Sequence, residues 1–152
     1  RGEIIMAFSG NFMCTSFKKE LMEAGHNFKN SGGDTFRMAL YTDSSSFTAA
    51  TTAYTTSNEI TNDAGSAYSA KGNTLTRVDP SSSGTTGFTD FADTSWSTAT
   101  FSAMGAMIFN DTASGDPSVV ILDFGALKTA TAGTFTIAFP AADASNAIIR
   151  IA

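Results

Sequence analysis

Residues Thr134–Phe139 read Thr-Phe-Thr-Ile-Ala-Phe, so Phe135, Ile137 and Phe139 alternate with Thr134, Thr136 and Ala138. A period of two is the repeat of a pleated strand with one face in a core. It recurs in Thr35–Thr42, where Phe36, Met38 and Leu40 share one face and Arg37 and Tyr41 the other. Further strands are predicted at Thr74–Val78, Phe88–Ala92, Trp96–Phe101, Ala103–Phe109 and Ala147–Ile151. Val119–Phe124 is nearly continuous in apolar residues and reads as a central strand. Gly, Asp, Asn, Ser and Pro clusters separate these runs. Turns or loops are expected at Asn110–Pro117, Gly125–Gly133 and Pro140–Asn146, and at Asp79–Gly87, where Pro80 is unsuited to a central strand. Many short strands between closely spaced turns predict a mainly β fold, a jelly-roll-like β-sandwich. Periodicity does not give strand order, so immunoglobulin-like and irregular barrel topologies stay open.

One helix interrupts this pattern near the N-terminus. Thr15 or Ser16 can cap it, with Glu20 placed as a capping-box partner. Phe17, Leu21, Ala24 and Phe28 fall on one face, and Gly25 ends the run. Residues 1–13 read as an N-terminal extension or arm and 14–152 as a single β-rich domain. Met6 can serve as an initiator, which makes residues 1–5 a tag remnant, an upstream start or a processed leader. Phe47, Tyr54, Ile60 and Tyr68 are spaced through a Ser/Thr/Ala/Gly background, which predicts a long ordered excursion over 47–73.

Composition limits the chemistry. Charged residues make up 15% of the chain, against about 25% in typical globular proteins. Hydroxyls must therefore cover much of the surface. The basic residues form no patch, which argues against nucleic acid as a partner. No apolar run approaches the roughly 20 residues of a membrane-crossing helix. With one histidine, His26, and one cysteine, Cys14, a zinc site would need several distant carboxylates. Cys14 is expected to be a small buried thiol and His26 a packing or capping group. Asn110-Asp111 and Ser114-Gly115-Asp116 are the best local candidates for calcium, although Asp and Asn are ordinary turn residues. Asn110-Asp111-Thr112 also forms a glycosylation triplet. Glu59 and Asp63 stand four apart and would need an aromatic-lined cleft to act on a glycoside. Neither a phosphate-binding Gly loop nor a nucleophile elbow occurs. No cofactor and no metal are expected.

Ser16–Leu21, His26-Asn27-Phe28, Gly33–Tyr41, Thr52-Ala53-Tyr54 and Asn73-Thr74-Leu75 carry a resemblance. It continues through Phe91–Trp96, Leu122–Gly125, Gly133–Ile137 and Phe139-Pro140. Over most of residues 15–152 the chain resembles a small virion structural protein of tailed bacteriophages. That resemblance implies a non-enzymatic role, as a capsid cement or decoration protein on the outer capsid surface that bridges major capsid protein subunits. Its partners would be the major capsid protein and copies of itself, with a trimer suiting a threefold position. The contact residues expected are Ile4, Ile5, Phe8, Phe12 and Met13 in the arm. Pro80, Ser81, Ser82, Ser83, Thr85 and Thr86 are expected to add contacts from an exposed loop. The equal alternative for the arm is a strand added to the domain's own sheet. The alternative function is a tail, fibre or connector protein that binds a host-surface glycan through Tyr54, Tyr68 and Trp96.

Overall fold

The computed structural model describes residues 8, 10–61 and 67–152. Among the described residues the fold is mainly β, with two sheets and one short helix. Strand β1 is Phe12–Met13, helix α1 Thr15–Met22, β2 Phe36–Tyr41 and β3 Asn73–Thr74. The later strands are β4 Arg77–Ser83, β5 Thr86–Phe91, β6 Thr94–Asn110, β7 Ser118–Ile137 and β8 Ile149–Ile151. They form a five-stranded sheet of order β1-β7-β6-β2-β3 and a three-stranded sheet of order β4-β5-β8. Every strand pair is antiparallel.

The larger sheet is built on one long hairpin, β6–β7, in which Thr94 faces Ile137 and Phe109 faces Ser118. Trp96–Phe101 and Ala103–Phe109, expected as two strands, are one strand of 17 residues. The turn expected at Gly125–Gly133 is instead part of β7. Gly125 has φ of 71°, and the register slips between Ala103 and Gly105, whose partners are Lys128 and Asp123. Glycine marks a local irregularity in both cases, and here it is a bulge within a continuing strand. The loop expected at Asp79–Gly87 is likewise a hairpin. Ser83 pairs with Thr86 across Gly84-Thr85, and Gly84 takes φ of 57°. Pro80 fits because β4 is an edge strand and its register shifts between Val78 and Ser81.

Helix α1 starts one residue earlier than a Thr15 cap would place it and two earlier than a Ser16 cap would. Cys14 is the N-cap, and no side chain caps the helix. Its C-terminus closes through Ala24, at φ of 58°, and Gly25 N–H donates to the Glu20 carbonyl at 2.8 Å. Ala24 thus takes the left-handed position that the sequence assigned to Gly25.

β2 is buried on both faces, not one. Phe36, Met38 and Leu40 are buried, and so are Ala39 and Tyr41. Phe36 stacks on Phe28 (4.3 Å between centroids) and meets Phe91 of the smaller sheet at 5.9 Å. Tyr41 packs on Phe47 at 4.7 Å and donates to the Thr55 carbonyl at 2.7 Å. The described residues of the excursion after β2 therefore cover the second face. It also pairs with the strand edge: Ile60 N–H donates to the Leu40 carbonyl at 2.9 Å, and Tyr41 bridges Glu59.

Candidate functional surface

Three features could carry function: a buried carboxylate network, a groove along the free edge of β7, and the exposed face of the β6–β7 hairpin.

The network is centred on Glu59, which is 8% exposed. The Tyr54 hydroxyl donates to its Oε2 at 2.5 Å. The Tyr68 hydroxyl and the Lys71 backbone N–H both donate to Oε1, each at 2.7 Å. The Tyr68 oxygen in turn accepts from Leu40 N–H at 3.0 Å. Burial first, and Glu59 second, push the Tyr54 and Tyr68 hydroxyls well above the usual tyrosine range. These hydroxyls stay protonated donors at neutral pH, so the arrangement pins the excursion onto β2. Asp63, the proposed partner of Glu59, lies outside the described residues.

The calcium candidates are occupied by a protein cation. Lys71 Nζ is 2.6 Å from Asp111 and 2.8 Å from Asp116, and Arg37 stands 4.0 Å from Asp111. Those carboxylates raise the Lys71 pKa, keeping its ammonium charged. Asp123 accepts from Gly10 and Gly125 N–H, and Asp90 accepts from Phe91 and Ile148 N–H. Among the described residues, no three His, Cys, Asp or Glu side chains converge where an ion could sit. Asn110 is fully buried, so its glycosylation triplet is out of reach in the folded chain. Cys14 is also buried, and desolvation pushes its thiol above the usual cysteine value.

The residues expected to touch partners are scattered. Ile4 and Ile5 lie outside the described residues. Phe8 is buried, edge-on to Phe47 at 5.7 Å, and a Cβ on Gly105 would come within 2.4 Å of its ring. Phe12 and Met13 are half-buried and pair with Ile121 and Val120 of β7. That is the geometry of a strand added to the domain's own sheet. Pro80, Ser81, Ser82, Ser83 and Thr85 are exposed and Thr86 half-exposed, on the β4–β5 edge hairpin.

The three rings proposed for a glycan do not form one surface. Trp96 and Tyr68 are 2% and 0% exposed, and they pack on each other at 5.9 Å with Phe101 beside them. A sugar reaches neither ring. Tyr54 is partly exposed but stacks on Phe109 at 4.6 Å. Trp96 points into the core from β6, whereas Tyr54 and Tyr68 come from the excursion after β2 and reach the core by packing on rings of β6.

A groove of about 720 Å³ does open elsewhere, along the edge of β7 beyond its short pairing with β1. Phe124, Phe135 and Phe139 line it together with Asp123, Asn146 and Arg150. Sequence reading missed it, because it joins β7 to the segment before β8 and no local pattern reports that meeting.

The third feature is the exposed face of the β6–β7 hairpin. Ser95, Thr100, Ser102, Thr129, Thr134 and Thr136 alternate with buried Trp96, Phe101 and Phe135 or pair across the ladder, so they stand on the opposite pleat. Ser102 and Thr129 hydroxyls bond at 2.6 Å, and Thr100 Oγ1 accepts from Ala132 N–H at 2.9 Å. The six side chains are uncharged. Hydroxyls fixed on a pleated sheet lose little conformational freedom when another surface covers them.

No family model matches the chain, and neither a curated protein nor a solved structure matches it.

Proposed function

We propose that this chain is a non-enzymatic structural protein of a tailed-phage virion, a capsid cement or decoration protein. It sits on the outer capsid surface and bridges major capsid protein subunits as a homo-oligomer, with a trimer at threefold positions. The observation that carries the reading is the uncharged hydroxyl face of β6–β7, held rigid by the buried rings behind it. Such a face can be covered without desolvating charge, and burial at a seam then favours the assembled shell by mass action. The sequence resemblance supplies the virion context. The accompanying fold proposal is a jelly-roll-like β-sandwich. It is supported by all-antiparallel pairing and by Phe36 of one sheet meeting Phe91 of the other.

Co-sedimentation with capsid shells assembled from the major capsid protein tests this. Thr134→Glu places a charge on an exposed position of the face. It should weaken shell binding by about tenfold or more while leaving stability within about 0.5 kcal/mol. Wild-type binding without any loss in the variant would remove the hairpin face from the contact. No wild-type binding would remove the cement reading.

The groove favours one second reading, a tail or fibre protein that binds a host-surface glycan. Rings beside Asp, Asn and Arg side chains are what a sugar site needs. Chemical-shift changes at Phe124 and Phe139 on adding host-surface polysaccharide would support it. Their absence would leave the groove without that role.

A further inference from the structure

Strand β7 has one bare side along its second half. On the inner side it pairs with β6 as far as Ile137. On the outer side β1 pairs with Val120 and Ile121 only, and Asn11 Oδ1 takes the Asp123 N–H at 2.7 Å. Among the described residues, no strand lies against Lys128–Ile137 on that side. An open edge of this length is a template for another strand, and proteins that keep such edges solitary blunt them with proline, charge or bulges. This stretch has no proline and a single charge, Lys128. Its irregular residue, Ala132 at φ of 46°, turns its N–H inward to Thr100 Oγ1 at 2.9 Å.

We propose that this edge pairs with the same edge of a second copy, antiparallel about a twofold axis at the Ala132–Gly133 bond. The residue order is self-complementary about that point. Thr129, Thr131, Thr134 and Thr136 are spaced symmetrically around it and are all exposed in the single chain. Thr129 faces Thr136 of the second copy, and Thr131 faces Thr134. Threonines directly opposite each other support antiparallel strands. Ala130 faces Phe135, small against large, and the two smallest residues meet at the axis.

The same register gives work to two features that the single chain leaves unused. Lys128 is exposed and joins no ion pair among the described residues. It faces Ile137 of the second copy. Just beyond that point the exposed Asp93 holds the Phe139 N–H at 2.8 Å, within reach of a lysine side chain. The copies therefore exchange a Lys128–Asp93 pair in each direction. Leu127, 49% exposed, comes opposite Ala138, at the mouth of the groove lined by Phe124, Phe135 and Phe139. The twofold axis of such a pair is normal to the sheet, so both hydroxyl faces of β6–β7 point the same way. This contact specifies one interface of the homo-oligomer proposed above and rests on that reading for its place on a shell, where it joins neighbouring threefold positions.

Sedimentation equilibrium of the isolated chain tests the contact without any capsid. Pairing of copies should appear as concentration rises. Lys128→Asp sets like charges against each other at both ends of the seam and should weaken pairing by about tenfold. Adding Asp93→Lys to that variant should restore it. Cross-linking reads the register, because Cys14 is the only native cysteine and is buried. Thr129→Cys mixed with Thr136→Cys should give an oxidised dimer, and either variant alone should give little. A chain that stays single at every soluble concentration would overturn the edge contact. So would association that ignores Lys128→Asp, or Thr129→Cys that cross-links as well alone as in the mixture. In each of those cases the cement reading is still decided separately, by co-sedimentation with shells.

Discussion

Gly72→Ala is expected to destabilise the fold by about 4 kcal/mol, enough to remove a large part of an ordinary domain's stability. Two independent costs add. Gly72 has φ of 63°, a conformation that strains a residue with a Cβ. The added Cβ would also lie 1.7 Å from the Met38 carbonyl oxygen and 3.1 Å from Ala39 Cα. Those atoms are the backbone of β2, a strand buried on both faces, and cannot step aside. Relief requires moving residues 71–72 off the strand, which also breaks the Arg37 bonds to the Lys71 and Gly72 carbonyls. Chemical denaturation checks this through the transition midpoint. Gly84→Ala is the matched control, because Gly84 also has positive φ, 57°, but nothing lies within 4 Å of its new Cβ. Equal losses in the two variants would mean that the close approach to β2 contributes nothing.

Phe36→Ala should cost about 3–5 kcal/mol and lower Tm by roughly 8–16 °C. Phe36 is completely buried and touches Phe28, Phe91 and His26. Its ring joins the larger sheet to the smaller one and to the loop after α1. Truncation leaves a cavity at the meeting of three elements, where no single side chain can swing in to fill it. Thermal melting of this variant beside Thr134→Glu separates core from surface: the first should melt far below wild type and the second within a few degrees of it. A small loss at Phe36 would mean that the two sheets do not depend on this stack.

Local signals explain what could be foreseen. Alternating Phe135 and Ile137 with threonine defined the end of β7, and the apolar run at 119–122 defined its buried beginning. Phe47, Tyr54, Ile60 and Tyr68 of the 47–73 excursion pack against the core, because isolated large side chains in a polar background need somewhere to pack; residues 62–66 lie outside the described residues. The errors share one physical origin. Gly125 and Pro80 report a local departure from regular strand geometry, and a bulge and a turn produce the same residue preference. Only the partner strand decides between them: β6 continues past Gly125, and β5 pairs with β4 around Pro80. Burial of Ala39 and Tyr41 was invisible for a similar reason, since a second covering layer leaves no alternation to read. The Glu59 network joins residues far apart in the chain, which no spacing rule could connect. The alternative glycan reading needs Trp96 and Tyr68 at the surface, and both are buried in the core.

The same reasoning distinguishes the contact candidates. Phe8, Phe12 and Met13 spend their apolar surface on this chain's own sheet. The hydroxyl face of β6–β7 packs no large apolar side chain and bonds only within its own ladder, which is why the proposal places the neighbouring subunit there.

Electron cryomicroscopy of the intact virion tests the central claim most directly. The account predicts density for this chain above the capsid lattice, with Thr100, Thr134 and their neighbours on β6–β7 laid against major capsid subunits. Density confined to the tail or the vertex, or a capsid position with that hairpin face turned to solvent, would contradict it.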